Sequence, residues 1–391
     1  MRAYVVTDKA LASEAGRFVW LEIDTEKKEN AAFRAQFPVP ALPTFLVVDP
    51  ATEKVALRWV GGFSVAQFAT LLDDAERAVA GGGPAPAPSI SVPPASPADQ
   101  ALARADAAYG AGDYAAAATA YEAALAAAPI DWPAYGRTVE SLLFAYYASD
   151  QNEAAARLAR DAFPKLQHTG SAANVAVSGL GSALELPADH AERQALVAAL
   201  EADARAIVDD PAVPMADDDR SGMYIALLDA RQAAEDSVGA RDVAERWAAF
   251  LEGAAQRAPS PEARTVFDSH RLSAYLELDQ PERAIPMLEA SERDLPEDYN
   301  PPARLAIAYR AMKRYPEALA ASDRALAKAY GPRRLLLLRT RADIYSESGD
   351  PASARLTIEQ AIQEAEALPE GQRSESAIAS LKKKLEGLPA S

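Results

Sequence analysis

PPARLAIAYRAMKRYPEALAASDRALAKAYG, residues 301–331, decides how the rest of this chain is read. Small residues stand at Ala306, Ala308, Ala318 and Ala325, and larger ones at Leu305, Ile307, Tyr309, Tyr315 and Leu326. The apolar positions recur at helical spacing on both sides of Lys313–Pro316. The stretch predicts a helix, a tight turn and a second helix.

The pattern returns one period away. Tyr275 and Ala284 stand 34 residues before Tyr309 and Ala318. Tyr345, Ala354 and Ala361 come 36 residues after Tyr309, Ala318 and Ala325, together with Gly349 and Asp350, the extra two residues falling around Gly331–Pro332. Far upstream, GDYAAAATAYEAALAAAP at 112–129 carries Gly112, Tyr114, Ala117, Tyr121, Ala124 and Pro129 in the same register. This resembles the tetratricopeptide repeat, in which small residues let two antiparallel helices approach closely while a Tyr fills the gap. Leu305, Ala306, Tyr309, Tyr315, Ala318, Ala325 and Leu326 fall on the signature positions of that family. The resemblance implies a mainly α fold, an α-solenoid of about five to seven helical pairs over 99–391. It implies a scaffold for partners without naming one.

Composition narrows the chemistry. Of 391 residues, 49% are hydrophobic but only 7% aromatic, a mix suited to close-packed helices. A net charge of −17 argues against a nucleic-acid footprint, which needs clustered Lys and Arg. The absence of Cys removes disulfides, thiolate nucleophiles and Cys-ligated metals from this chain. No apolar run reaches membrane-spanning length, and MRAYVVTDKALASEAGR lacks the apolar core of an export signal. As written, the chain reads as cytoplasmic.

The N-terminal 80 residues read differently. FVWLEID at 18–24 predicts a buried strand, NAAFRAQF at 30–37 a short helix, and TFLVVD after Pro43 a second strand. Lys54–Val60 alternates as an edge strand, Gly61–Gly62 turns, and Ser64–Ala80 is a helix with Ser64 and Gln67 spaced as a capping box. This order, with Asp24 closing a strand, Leu42-Pro43-Thr44 entering the next and Gly61-Gly62 before the last helix, resembles the later part of a thioredoxin fold. The resemblance implies that Pro43 is a cis proline and that a redox Cys-x-x-Cys belongs just upstream of Met1–Val6. The central strand of that sheet is missing as well. The expectation is therefore a partial thioredoxin-like module at 1–80 and an internal Met1, with export open if the natural start lies upstream. A tether follows at 81–98, GGGPAPAPSISVPPASPA, in which Pro and Gly favour extended geometry and leave the module tethered rather than docked.

Along the repeats, Trp132–Phe163 reads as a degenerate second pair and 187–211 as an amphipathic helix with a loop at Asp209–Ser221. Met223–Arg257 reads as two helices. Ser260-Pro261, Asp279 before Pro281 and Asp350-Pro351 predict helix starts, and Ser374–Leu388 a capping helix.

Candidate chemistry is sparse. His168, His190 and His270 lack metal-ligand spacing, and Asp217-Asp218-Asp219 lacks the alternation of a calcium loop and reads as a solvated acidic loop. Gly179-Leu180-Gly181 reads as a helix break, Lys382–Lys384 as a solvated face, and Tyr275, Tyr309 and Tyr345 as core wedges. Catalytic, cofactor and metal residues are accordingly expected to be none. The clamp by which some tetratricopeptide domains hold chaperone tails needs basic inner residues. The register instead puts Asp99, Leu102, Asp106 and Tyr109 on the first inner face, and Ala303, Ile307 and Arg310 on the fourth.

The reading is a non-catalytic interaction scaffold whose partner, a protein or peptide, lies in a groove lined by Leu276, Ile307, Arg310, Leu336 and Arg339. The alternative is a thiol–disulfide oxidoreductase whose catalytic segment lies upstream of Met1.

Overall fold

The computed structural model describes residues 6, 8–39, 41–61, 63, 65–80 and 96–389. The expectations placed on Ala3–Val5, Gly62, the Ser64 cap and the tether at 81–95 lie outside the described residues. Contacts divide the chain into two compact units, Met1–Phe18 with Pro40–Val243, and Val19–Val39 with Ala244–Ser391.

In the first unit, β1 (Thr44–Asp49) and β2 (Lys54–Val60) pair antiparallel from Thr44↔Val60 to Asp49↔Lys54. Asp49 closes their turn by accepting from Ala51 N at 2.9 Å and Thr52 Oγ1 at 2.8 Å. The next helix, Val65–Ala80, lays Phe68, Leu71, Leu72 and Ala75 on Leu57, Trp59 and Phe63. Leu42–Pro43 is a cis peptide, and the Pro43 carbonyl accepts from Gly61 N at 3.0 Å.

The strand expected at 18–24 is not formed. Phe18 makes an isolated bridge to Ala15 and packs on the core just described, while Val19 and Leu21 are 89% and 75% exposed. An apolar run becomes a strand only where a ladder partner satisfies its backbone. The module is also docked rather than merely tethered. Its partners are α3 (Pro97–Gly110) and α5 (Tyr135–Tyr147), for which α1 (Ala31–Gln36), α2 (Val65–Ala80) and α4 (Tyr114–Ala127) complete the numbering so far. Arg58 of β2 donates to the Gly110 carbonyl at 3.3 Å, and Arg137 of α5 meets Asp74 of α2 at 2.7 Å. Linker composition sets stiffness; it leaves open what the module's own face packs against.

The helices continue as α6 (Asn152–Leu166), α7 (Ala172–Leu184), α8 (Arg193–Val208) and α9 (Asp217–Ala233), followed by α10 (Ser237–Arg257). Each of α3 to α8 packs on its successor, and α5, α7 and α9 also stack on one another, which is how repeats bury a continuous core. Gly179 does not break α7: a Cβ there would stand 2.2 Å from Ala159 Cβ, so it brings α6 close. The expected loop at 209–221 ends early because Asp217 opens α9. Arg220, on the first turns of α9, donates to the carbonyls of Ile207, Val208, Asp210 and Val213 at 2.8–3.2 Å and so ties off the end of α8.

The second unit holds α11 (Pro261–Thr265), α12 (Asp268–Glu277), α13 (Ala284–Asp294), α14 (Asn300–Ala311), α15 (Tyr315–Lys328), α16 (Arg333–Glu347), α17 (Pro351–Glu366) and α18 (Glu375–Glu386). Here α12, α14 and α16 stack, and α18 covers α17 through Ile378 and Leu381. Ser260, Asp350 and Ser374 cap helices as expected.

One turn recurs through both units. Gly112, Asp150, Glu235, Asp279, Lys313 and Gly349 all have positive φ, between 54° and 85°. After each, the next residue's N–H reaches back to the carbonyl of Ala108, Tyr146, Arg231, Tyr275, Tyr309 or Tyr345 at 2.8–3.0 Å. This is the Schellman closure, which satisfies carbonyls left open at a helix end. Asp279 therefore ends a helix rather than capping the next one.

Candidate functional site

α12, α14 and α16 stack, and Ala274, Ala306, Ala308 and Ala342 on them are fully or nearly fully buried. Larger side chains on the same helices, Leu276, Ile307 and Arg310, are half-buried. Leu276, Ile307, Arg310, Ala311, Lys313, Tyr315 and Glu347 line an open cleft of about 490 Å³. Three of the five expected groove residues, Leu276, Ile307 and Arg310, are thus brought together. Leu336, 44% exposed, and Arg339, also exposed, lie on α16 outside this lining, two turns and one turn before Asp343.

The cleft's charge is arranged by Arg310. Its Nε donates to Glu347 Oε1 at 3.0 Å, and Nη1 meets Asp343 Oδ2 at 3.4 Å. The bond to Glu347 raises the guanidinium's pKa further above its ordinary value, so the positive charge is permanent. Lys384 of α18 reaches the other Asp343 oxygen at 2.6 Å, so the lysine run expected to be solvated is partly committed to this network. Lys382 likewise pairs with Glu366 at 2.8 Å. Leu276 and Ile307 are the larger aliphatic side chains of the lining, beside the charged Lys313, Arg310 and Glu347.

The residues projected onto the first inner face do other work. Asp99 bonds Ser96 at the start of α3 and accepts from Trp132 Nε1 at 2.9 Å. Asp106 takes both Arg137 terminal nitrogens at 3.1 and 3.0 Å, and the Tyr121 hydroxyl at 2.8 Å. Leu102 and Tyr109 are buried. Leu102, Asp106 and Tyr109 are thus part of the core of the first repeat, while the exposed Asp99 holds the start of α3.

Two carboxyls with raised pKa values, the buried Glu140 and the half-buried Asp219, are not marked by the sequence pattern. Glu140 on α5 accepts from Asn174 Nδ2 at 2.5 Å and Gln67 Nε2 at 3.3 Å, and burial pushes its carboxyl up to about 7. A single Glu in the run VESLLFAYY at 139–147 was the available signal. Asp219, on the half-buried first turn of α9, is also pushed up to about 7 by burial, with Asp218 adding to the effect. The acidic run is therefore a helix start and not a solvated loop.

Of the histidines, His190 contacts Glu153 at 3.3 Å, and His270 packs on Trp247 at 5.7 Å between ring centroids. Among the described residues no group of three or more His, Cys, Asp or Glu side chains is placed to hold a metal. Tyr275 is fully buried while Tyr309 and Tyr345 are half-buried, each under a guanidinium: Arg283, Arg314 and Arg341 at 4.5, 4.8 and 5.2 Å. No helix among the described residues is long and apolar enough to cross a membrane.

Helix pairs closed by a recurring turn, stacked with a cleft along one set of helices, define a helical-repeat protein. Residues 299–367, which contain most of the cleft, match the tetratricopeptide repeat family. Among solved structures, a tetratricopeptide repeat protein from Parabacteroides merdae is 12% identical, with 74% of this chain and 99% of that one covered and a TM-score of 0.48. The TPR2AB domain of yeast Sti1, solved as a complex with pHSP90, is 16% identical over 74% of this chain and 98% of that one, with a TM-score of 0.28. A thermophilic tetratricopeptide repeat protein of Thermus thermophilus is 16% identical over 74% and 99%, with a TM-score of 0.24. Comparison with curated proteins finds no match.

Proposed function

We propose that this chain is a non-catalytic scaffold that binds an extended peptide of a protein partner in the cleft of α12, α14 and α16. The observation that carries the reading is the convergence of Leu276, Ile307 and Arg310, from helices 34 residues apart in register, on one open surface of about 490 Å³. Leu336 and Arg339 extend the proposed surface along α16. Its aliphatic Leu276 and Ile307 and its fixed Arg310 favour a peptide with an apolar residue next to an acidic one. Peptide-display selection on the full chain, followed by calorimetry, tests this. Selected peptides should lose at least about tenfold in affinity, some 1.4 kcal/mol, on Ile307→Asp. Selection of no binder, or binders indifferent to Ile307→Asp and Arg310→Ala alike, would sink the reading.

A second reading rests on the order β1, β2, α2 behind Pro43, which supports a thioredoxin-like module at 1–80. With no Cys in this chain, thiol–disulfide exchange would require a Cys-x-x-Cys encoded upstream of Met1. Reading the DNA in frame upstream decides it: a stop codon directly before Met1 removes the oxidoreductase.

A further inference from the structure

Within the second unit, the loops that precede α16 and α18 hold a stretch of the chain far from them in sequence. Tyr330 donates its hydroxyl to the Asp24 carboxylate. Arg333 grips Glu26 with two nitrogens, Nη2 to Oε1 at 2.8 Å and Nε to Oε2 at 3.3 Å, the fork that suits a carboxylate. Gln372, only 3% exposed, donates to the carbonyls of Thr25 at 3.1 Å and Lys27 at 2.7 Å. Tyr299, from the loop before α14, packs edge-on against Tyr330 with ring centroids 6.4 Å apart.

Two glycines make room for this contact. A Cβ on Gly331 would fall 2.1 Å from the Glu26 carbonyl oxygen, and one on Gly371 would fall 2.2 Å from that of Ala31. The held segment is folded by itself: Asp24 Oδ1 accepts from Glu26 N at 2.9 Å, and Asn30 Nδ2 bonds the Asp24 carbonyl at 2.8 Å. It presents two carboxylates and two carbonyls as one compact turn. Bonds to carboxylates and carbonyls dominate this contact, which is the chemistry of a recognition site more than of an apolar core.

We propose that these loops form a second docking site, selective for an acidic Asp-x-Glu turn of a partner protein, and that Asp24–Asn30 occupies it in cis as an exchangeable occupant. Recognition is divided by chemistry. Tyr330 and Arg333 read the two carboxylates, Gln372 reads the backbone between them, and Gly331 and Gly371 admit only a closely approaching chain. A tethered occupant competes at millimolar effective concentration, so an external turn binds appreciably only when the internal one is weakened.

The probe is a fluorescein-labelled peptide of residues 19–39, titrated into the full chain. Wild type should bind it at least about tenfold more weakly than the Asp24→Ala/Glu26→Ala chain. In that weakened background, Arg333→Glu should abolish binding, and a peptide carrying Glu26→Arg should restore it. Arg333 is partly exposed, so the reversed chain is expected to keep its circular dichroism and melting temperature, and Gln372→Leu serves as an independent second variant. Equal binding by wild type and the weakened chain overturns the cis occupancy. Failure of the weakened chain to bind, or no rescue by the reversed peptide, overturns the site.

Discussion

Arg310 on α14 donates through Nε to the Glu347 carboxylate on α16 at 3.0 Å, across 37 residues of sequence. The bond sets the charge that the cleft presents: a guanidinium held in place, and a carboxylate that cancels much of it. Both side chains are part-exposed, so their pairing is worth under about 1 kcal/mol to stability. Glu347→Gln should therefore leave the melting temperature nearly unchanged while strengthening acidic peptides selected on the cleft by several-fold. Calorimetry at low and at about 1 M salt checks this, the gain disappearing in the latter as screening takes over.

Ala318 is fully buried on α15, at the position where a small residue sets the separation from α14. Ala318→Leu should overpack that contact and cost about 1–3 kcal/mol, read as a lower urea midpoint. An unchanged midpoint would mean that the two helices are held apart by something else.

Lys313 and Gly349 occupy the same turn of successive repeats, with φ of 56° and 85°. A side chain in this left-handed region costs about 1–2 kcal/mol that Gly does not incur. Lys313→Gly should stabilise the chain by up to about 1 kcal/mol, because glycine's extra unfolded-state entropy offsets part of the gain. Gly349→Ala should destabilise it by about 1–2 kcal/mol. Opposite shifts in melting temperature are the signature.

Glu140 makes stability depend on pH. Burial raises its folded carboxyl from 4.5 to about 7, so its contribution is fully present below 4.5 and is lost as pH rises through 7. Denaturant midpoints should fall between about pH 5 and about pH 8, with a loss on the order of 1–3 kcal/mol. Glu140→Gln should flatten that slope. A slope unchanged in the variant would assign it to another group, Asp219 first.

The repeats were legible where local chemistry marks them. Tyr309, Ala318 and Ala325 recur one period up or down because the helix pair needs a gap-filling ring and small contacts at fixed offsets. The same turn at Asp150 and Glu235 was harder to see, since the left-handed position there carries an acidic residue in place of Gly. Gln67 illustrates another limit. Its side chain reaches Glu140, 73 residues away, a partner that local spacing does not show.

What the sequence determined by itself is the helical period and its breaks, because helix hydrogen bonds and caps join residues within a few positions of each other. It also placed Leu276, Ile307 and Arg310 on one projected face, since the repeat carries its register forward. Only the tertiary structure decided that 18–24 forms no strand, that Glu140 is buried, and that Gln372 holds the carbonyls of Thr25 and Lys27 across some 345 residues of chain. Those outcomes depend on which surfaces meet, and burial and backbone pairing are properties of the meeting rather than of either stretch alone.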